Sequence, residues 1–158
     1  MKLVSKTDHH LIFGLTDLDN RLLVMTLSAY PVAKESWVGQ TGSPIKEATA
    51  PDPKLLAEAL QDIKRAHRQK LEEFLRQHVQ RSAQGEPTRL EIPTADVEWF
   101  LQVVNEVCIG SWYELGCPDF QTRTQIPRTP ANLSSMLRLE HAGMLASRIL
   151  LALENRSA

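Results

Sequence analysis

The side chain best placed to do chemistry is Glu140, a carboxylate in an apolar stretch near the carboxyl end of the chain. On a helix, Glu140 lies between Leu133, Leu137 and Met144 rather than beside His141. Burial there would raise its pKa unless a donor pairs with it. The candidate donors are Arg123, Trp99 and Trp112. Perturbed carboxylates cluster at active sites, and structural ion pairs perturb them too, so both roles are open for Glu140.

A second carboxylate, Glu106, follows a mid-helix asparagine at the edge of an apolar stripe. One functional hypothesis therefore combines Glu140 and Glu106 with His141 or His67 in a pocket between helices, as in a small hydrolase or a metal-assisted enzyme. The alternative for His67 is an amphipathic ring at the edge of the core. The sequence contains no nucleophile elbow, zinc-protease helix or phosphate-binding glycine loop, and we expect no cofactor and no metal.

The length, composition and net charge are those of an ordinary folded protein. The chain has 158 residues, of which 42% are hydrophobic and 23% charged, with a formal net charge of -1 at pH 7. That length can close a hydrophobic core without disulfides, so we predict a single domain over residues 1–158. Cys108 and Cys117 lack zinc or CxxC spacing, and no signal segment or membrane-spanning run is found, which predicts reduced thiols in a cytoplasmic protein.

Apolar periodicity predicts a mainly α fold, a small helical bundle with a minor N-terminal β element over residues 1–14. A short strand at Thr88–Ile92 can pair with that element. The predicted helical core spans residues 15–154, and its four helices cover about 16–30, 54–81, 94–116 and 130–154. A strand over Arg21–Leu27 is the alternative for the first helix. The last helix is so widely apolar that we expect a central or interfacial position for it.

Two loops carry candidate interaction residues. The first is a long loop over residues 31–53, where Trp37 either packs on the core or anchors a partner. The second follows Gly116 and carries Arg123 and Arg128. Together with the over-apolar last helix, these residues predict a non-enzymatic protein-interaction module whose partner is another protein or a second copy of itself. The basic outer face of helix 54–81 offers nucleic-acid binding as a further alternative.

The segment from Leu90 to Asp119, which contains TADVEWFLQVVNEVCIGSWYELGCPD, together with the last helix resembles a bacterial family of small uncharacterised helical domains. The family has a Trp-Leu…Leu-Asn helix that ends in Leu-Gly, followed by a tryptophan-containing helix. The matching positions are Trp99, Leu101, Asn105, Leu115 and Gly116, whereas Cys108-Ile109 departs from the family pattern and the last helix lacks tryptophan. Family genes sometimes neighbour that of the Clp protease adaptor, which implies a regulatory role in the bacterial cytoplasm.

Overall fold

The fold, as given by a computed structural model, is mainly α with a small antiparallel sheet, which confirms the predicted fold class. The structure describes residues 1–32, 53–80, 88–119 and 125–154, so Trp37, Arg123 and most of the predicted 31–53 loop lie outside the described residues. In chain order the elements are β1 (Lys2–Lys6), β2 (His10–Leu15), α1 (Asp17–Ser28), α2 (Pro53–His78), β3 (Val79–Gln80), β4 (Thr88–Pro93), α3 (Val97–Glu114) and α4 (Pro130–Glu154).

The sheet has the order β1-β2-β4-β3, and its neighbouring strands are antiparallel. Its first turn is closed by Thr7, whose hydroxyl accepts the His10 N–H at 3.0 Å and whose own N–H donates to the His10 carbonyl at 2.9 Å. Alternate side chains of β2 and β4 are buried, as expected for a sheet with one covered face. The hairpin and the pairing with residues 88–92 are confirmed, whereas β3 was predicted as helix.

Helix α1 begins where the sequence predicts it. The Thr16 hydroxyl accepts the Asp19 N–H at 3.1 Å, and the Asp19 carboxylate accepts the Thr16 N–H at 2.9 Å, which completes a capping box. The spacing of Leu15, Leu18, Leu22, Met25 and Ala29 predicts that they form the inner face of this helix. This prediction was wrong, because Leu18 is exposed and the buried residues of the helix are Leu23, Thr26 and Leu27. The consecutive apolar residues of this helix do not fix one face by spacing alone.

Helix α3 lies at the centre of the core. The spacing of Val97, Leu101, Val104, Cys108 and Leu115 predicts that they form the inner face of this helix. The buried residues are Val97, Phe100, Val103, Val104, Val107, Gly110 and Ser111, so the buried face is rotated from the predicted one. The helix ends as predicted at Gly116, whose φ of 80° permits two closing bonds. These run from the Gly116 N–H to the Tyr113 carbonyl and from the Cys117 N–H to the Trp112 carbonyl, both at 3.0 Å.

Helix α2 opens at Pro53, as predicted, and joins the core through its carboxyl-terminal half. Leu71 and Phe74 are buried there, and the Phe74 ring centroid lies 5.0 Å from that of Phe100. The apolar spacing of this helix predicts a core contact for Ile63 as well as for Leu71 and Phe74, but Ile63 is exposed. Within the described ranges, no helix combines the length and hydropathy needed to cross a bilayer.

Helix α4 packs along α3 and α1. Its buried residues are Ser135, Leu139, His141, Ala142, Leu145, Ile149 and Ala152. Its carboxyl end is tied to the sheet by Lys6, whose ammonium donates to the carbonyls of Ala152 and Leu153 at 2.9 Å each. A cation at that end also complements the helix dipole. The chain therefore fixes one side of α4, and the other side faces outward.

Candidate functional site

The outward side of α4 carries a row of large apolar side chains, which we call the α4 stripe: Leu133, Leu137, Met144 and Leu151. Leu133 is 46%, Leu137 40% and Leu151 58% exposed, and Met144 is half-buried. These side chains share one face because their spacings of four, seven and seven residues are close to whole turns of the helix. The protein therefore presents an apolar row about 27 Å long at 1.5 Å per residue, which the exposed Glu140 interrupts between Leu137 and Met144.

The spacing of the stripe supplies one of the two apolar positions of a helix-pairing heptad, whereas the other position is occupied by Leu133, Glu140, Ser147 and Glu154. Leu137, Met144 and Leu151 follow each other at seven residues, and the neighbouring Leu150 is also exposed. A seven-residue apolar repeat keeps one seam facing a second helix, as in coiled coils. Single exposed leucines are common on protein surfaces, but a repeated seam of them is not. The stripe was not predicted as a surface, although its seven-residue spacing is visible in the sequence.

Glu140 lies on this outward face and is exposed, so its predicted burial was wrong. The sequence correctly grouped Glu140 with Leu133, Leu137 and Met144, but it took that face to be the inner one. Because α4 is apolar on most sides, periodicity did not distinguish the core face from the solvent face. Two of the proposed donors serve elsewhere. The Trp112 indole N–H donates to the Pro118 carbonyl at 2.8 Å, and Trp99 packs on α2 at 5.6 Å from Phe74 between ring centroids.

His141, predicted on the polar side of α4, is instead 5% exposed. Its Nδ1 lies 2.9 Å from the Thr26 hydroxyl oxygen on α1. Burial lowers the pKa of His141, against a smaller opposing effect of Asp19, so the imidazole is held neutral inside the protein. Consecutive helix residues point about 100° apart, so Glu140 and His141 face solvent and core respectively and do not form one site.

Glu106 and His67 do come to a common neighbour, Tyr30, which is buried at 3% exposure. The Tyr30 hydroxyl lies 3.4 Å from His67 Nδ1, and the Glu106 carboxylate accepts the Val32 N–H at 3.4 Å. Burial, with a further contribution from the charge of Glu106, raises the pKa of Tyr30 to about 12. A phenol that keeps its proton so firmly is a poor base or nucleophile. The cluster links α1 to α2 and α3.

No group of three or more His, Cys, Asp or Glu side chains that could hold a metal ion occurs in the part of the chain that the structure describes. A groove of about 360 Å³ lies between α1, α2 and β3, and Asn20, Val24, Leu75, Arg76 and Val79 line it. The Arg76 guanidinium there is paired with Glu73 at 2.8 Å.

Arg128, a predicted interaction residue, is exposed just before α4 and five residues from Leu133.

The basic face of α2 is neutralised by neighbouring carboxylates. Arg65 pairs with Asp62 at 3.0 Å, Arg68 with Glu72 at 2.8 Å, and Lys70 with Asp96 at 2.5 Å. Lys70 also stands 4.2 Å above the Trp99 ring, in a cation–π contact. Phosphate binding by these cations would compete with the existing pairs, so the face is a weak candidate for a nucleic-acid surface.

No family model, curated protein or solved structure matches the chain.

Proposed function

We propose that the protein is a non-enzymatic interaction module that receives a helix of another protein chain on the α4 stripe. The observation that carries the proposal is the exposed seven-residue repeat of Leu137, Met144 and Leu151, extended by Leu133. The other side of α4 is fixed by its own core, so binding requires no unfolding. The stripe is therefore pre-formed for a partner.

Burial of apolar surface supplies the driving force. Each square ångström removed from water contributes about 25 cal/mol, and a helix laid along the stripe would cover all four side chains at once. The partner that fits best is an amphipathic helix with apolar residues at steps of three and four, because such a helix presents matching knobs along the same length.

The hydrolase alternative has less support from the geometry. Glu140 and His141 face opposite environments on α4, and His141 is neutral and buried against Thr26. Glu106 and His67 meet beside a tyrosine that keeps its proton. The nucleic-acid alternative conflicts with the paired cations of α2. It predicts retention on DNA or RNA at low salt that falls steeply as salt rises, and we expect no such retention.

The resemblance to the bacterial family supplies a cellular location and a role for this proposal. We place the interaction in the bacterial cytoplasm and assign it a regulatory role, as the family resemblance implies. Arg128 and the two residues outside the described ranges, Trp37 and Arg123, are proposed as additional contacts at the rim. These assignments rest on residue types and positions in the chain, whereas the stripe itself rests on the exposure of its side chains in the structure.

The test is site-specific photo-crosslinking in the cell of origin. A photoreactive side chain at Leu137 is expected to form an adduct with another chain, which mass spectrometry identifies. The matched control is the same side chain at Leu18, an exposed leucine on α1 outside the stripe. A second substitution, Leu151→Glu, should abolish the Leu137 adduct. Equal adducts from Leu18, or none from Leu137, would overturn the proposal.

A further inference from the structure

We infer that the helix received by the α4 stripe is a basic amphipathic helix of another protein, with two cationic side chains that face Glu140 and Glu154. This inference rests on the proposed function and adds the charge of the partner. The outward side of α4 follows a heptad, and the two glutamates occupy one of its two facing positions. Both glutamates are exposed, so both are accessible to a partner.

Glu140 and Glu154 lie where a bound helix would cover them. Each follows a residue of the stripe by three positions, Glu140 after Leu137 and Glu154 after Leu151. A helix that contacts both leucines therefore also passes over both carboxylates. Covering an ionised carboxylate is costly unless a donor compensates it. Glu140 has a contact within its own chain, but an ionised carboxylate has about four acceptor sites, so it can still accept from a partner.

A second copy of α4 does not offer the compensating charge. The basic side chains of α4 are Arg138, Arg148 and the buried His141. The Arg138 guanidinium donates to Glu114 at 2.5 Å, and the Arg148 guanidinium donates to the Met1 carbonyl, so both are engaged on their own chain. In a pair of α4 helices joined along the heptad, each carboxylate would face leucine, methionine, serine or another carboxylate. The charge therefore disfavours self-association and selects a different chain.

The spacing of the two carboxylates gives the partner a recognisable sequence. Glu140 and Glu154 lie 14 residues apart, which is two heptads and about 21 Å at 1.5 Å per residue. The lysines or arginines that face them are then also two heptads apart, whether the partner lies parallel or antiparallel to α4. Apolar residues at steps of three and four occupy the positions between them. Opposite charges at two fixed places also set the register of the two helices.

Synthetic helices test the charge of the partner. Three labelled peptides of about four heptads share an apolar seam. The first has two lysines two heptads apart in that seam, the second has glutamates at the same places, and the third has its two lysines one heptad apart. Fluorescence anisotropy with the full chain measures the affinities. At low salt we expect the first to bind about tenfold tighter than the second and about threefold tighter than the third, because only the first places a cation at each carboxylate.

Charge reversal in the chain supplies the matched control. Glu140→Lys should weaken binding of the first peptide and strengthen binding of the second. Glu58→Lys, the same change at an exposed position of α2, should leave the order of affinities unchanged. Circular dichroism checks that each variant is folded. Equal affinities for the first and second peptides, or no binding of the first, would overturn the inference. If equal binding were lost in Leu137→Glu, the proposed function would stand; if Leu137→Glu kept it, the proposed function would fail as well.

Sedimentation and the cellular photo-adduct distinguish the possible occupants. We expect the unmodified chain to be a monomer, and a dimer that Leu137→Glu dissociates would place a second copy on the stripe and refute the inference. In the cell, the segment joined to Leu137 should contain two lysines or arginines two heptads apart. A segment of another protein without them would refute the charge of the partner and leave the proposed function standing.

Discussion

Thr26 and His141 meet in the interior, where the Thr26 hydroxyl oxygen of α1 lies 2.9 Å from Nδ1 of His141 on α4. Both residues are buried, and they lie 115 positions apart in the chain. A neutral imidazole with one bonded nitrogen is stable there, whereas a protonated one would have to bring a charge into the core. The pair therefore makes the α1–α4 contact sensitive to pH.

The first prediction concerns acidification. Burial holds the pKa of His141 below its ordinary value of 6.5. Just below pH 6.5, the unfolded state therefore binds a proton at His141 and the folded state does not. The free energy of unfolding should keep its full value above pH 6.5. It should fall as the pH drops below 6.5, by at most about 1.4 kcal/mol per pH unit for one proton. Urea unfolding between pH 7.5 and 5 measures this slope. His141→Gln should lose it and the exposed control His9→Gln should keep it. An unchanged slope in His141→Gln would contradict the prediction.

Local features of this fold could be predicted because they depend on neighbours in sequence. The capping box joins Thr16 to Asp19 within one turn of α1. At the end of α3, the Gly116 N–H bonds to the carbonyl three residues before it, and the Cys117 N–H bonds to the carbonyl five residues before it. Side-chain alternation likewise revealed β2 and β4. In each case the groups that stabilise the structure lie within a few residues, so their types and spacing contain the information.

The orientation of α4 could not be predicted in this way. Its core face includes His141 and Ser135, whereas Leu133 and Leu137 are exposed. His141 is buried because Thr26 supplies a partner, and Ser135 because Glu114 accepts its hydroxyl at 2.6 Å. Those partners come from distant segments, so no window of the sequence shows them. Glu140 was assigned to the core for the same reason, and the candidate site moved from a buried carboxylate to an exposed stripe.

The second prediction concerns Asp19, the capping residue of α1. Burial raises its pKa, but hydrogen bonds from the Met1 ammonium and from the backbone and hydroxyl of Thr16 outweigh this and lower the pKa from 3.8 to about 2. Stability from Asp19 should therefore be present above about pH 3.8 and be lost as pH falls towards 2, by about 1 kcal/mol, because water screens this partly exposed pair. Thermal unfolding of Asp19→Asn should lack this acid-dependent loss. Asp17→Asn, in the same helical turn, should retain it, and equal behaviour of both variants would refute the assignment.

The third prediction concerns the clamp between α3 and α4. The Glu114 carboxylate accepts from Arg138 at 2.5 Å and from Ser135 at 2.6 Å, and all three side chains are at least partly shielded from water. Glu114→Gln should cost about 1–3 kcal/mol in denaturant unfolding, because it leaves the half-buried guanidinium without its anion. The control is Glu73→Gln, which breaks the exposed pair with Arg76 and should cost less than about 0.5 kcal/mol. Similar losses from both would show that the clamp is no stronger than a surface pair.

The last prediction separates a structural role of Arg68 from a role in binding nucleic acid. The Arg68 guanidinium donates to the Ser28 carbonyl at 3.0 Å and to the Tyr30 carbonyl, so it joins α2 to the carboxyl end of α1. It also pairs with Glu72. Arg68→Ala should lower the free energy of unfolding by about 1–2 kcal/mol, because two carbonyls lose a charged donor. Arg65→Ala removes an equally basic side chain from an exposed pair with Asp62 and should change stability by no more than about 0.5 kcal/mol. The contrary result is unchanged stability in both variants together with weaker retention on nucleic acid at low salt. That result would show that the cations of α2 bind nucleic acid, and it would contradict the proposal that interaction through α4 is the main function.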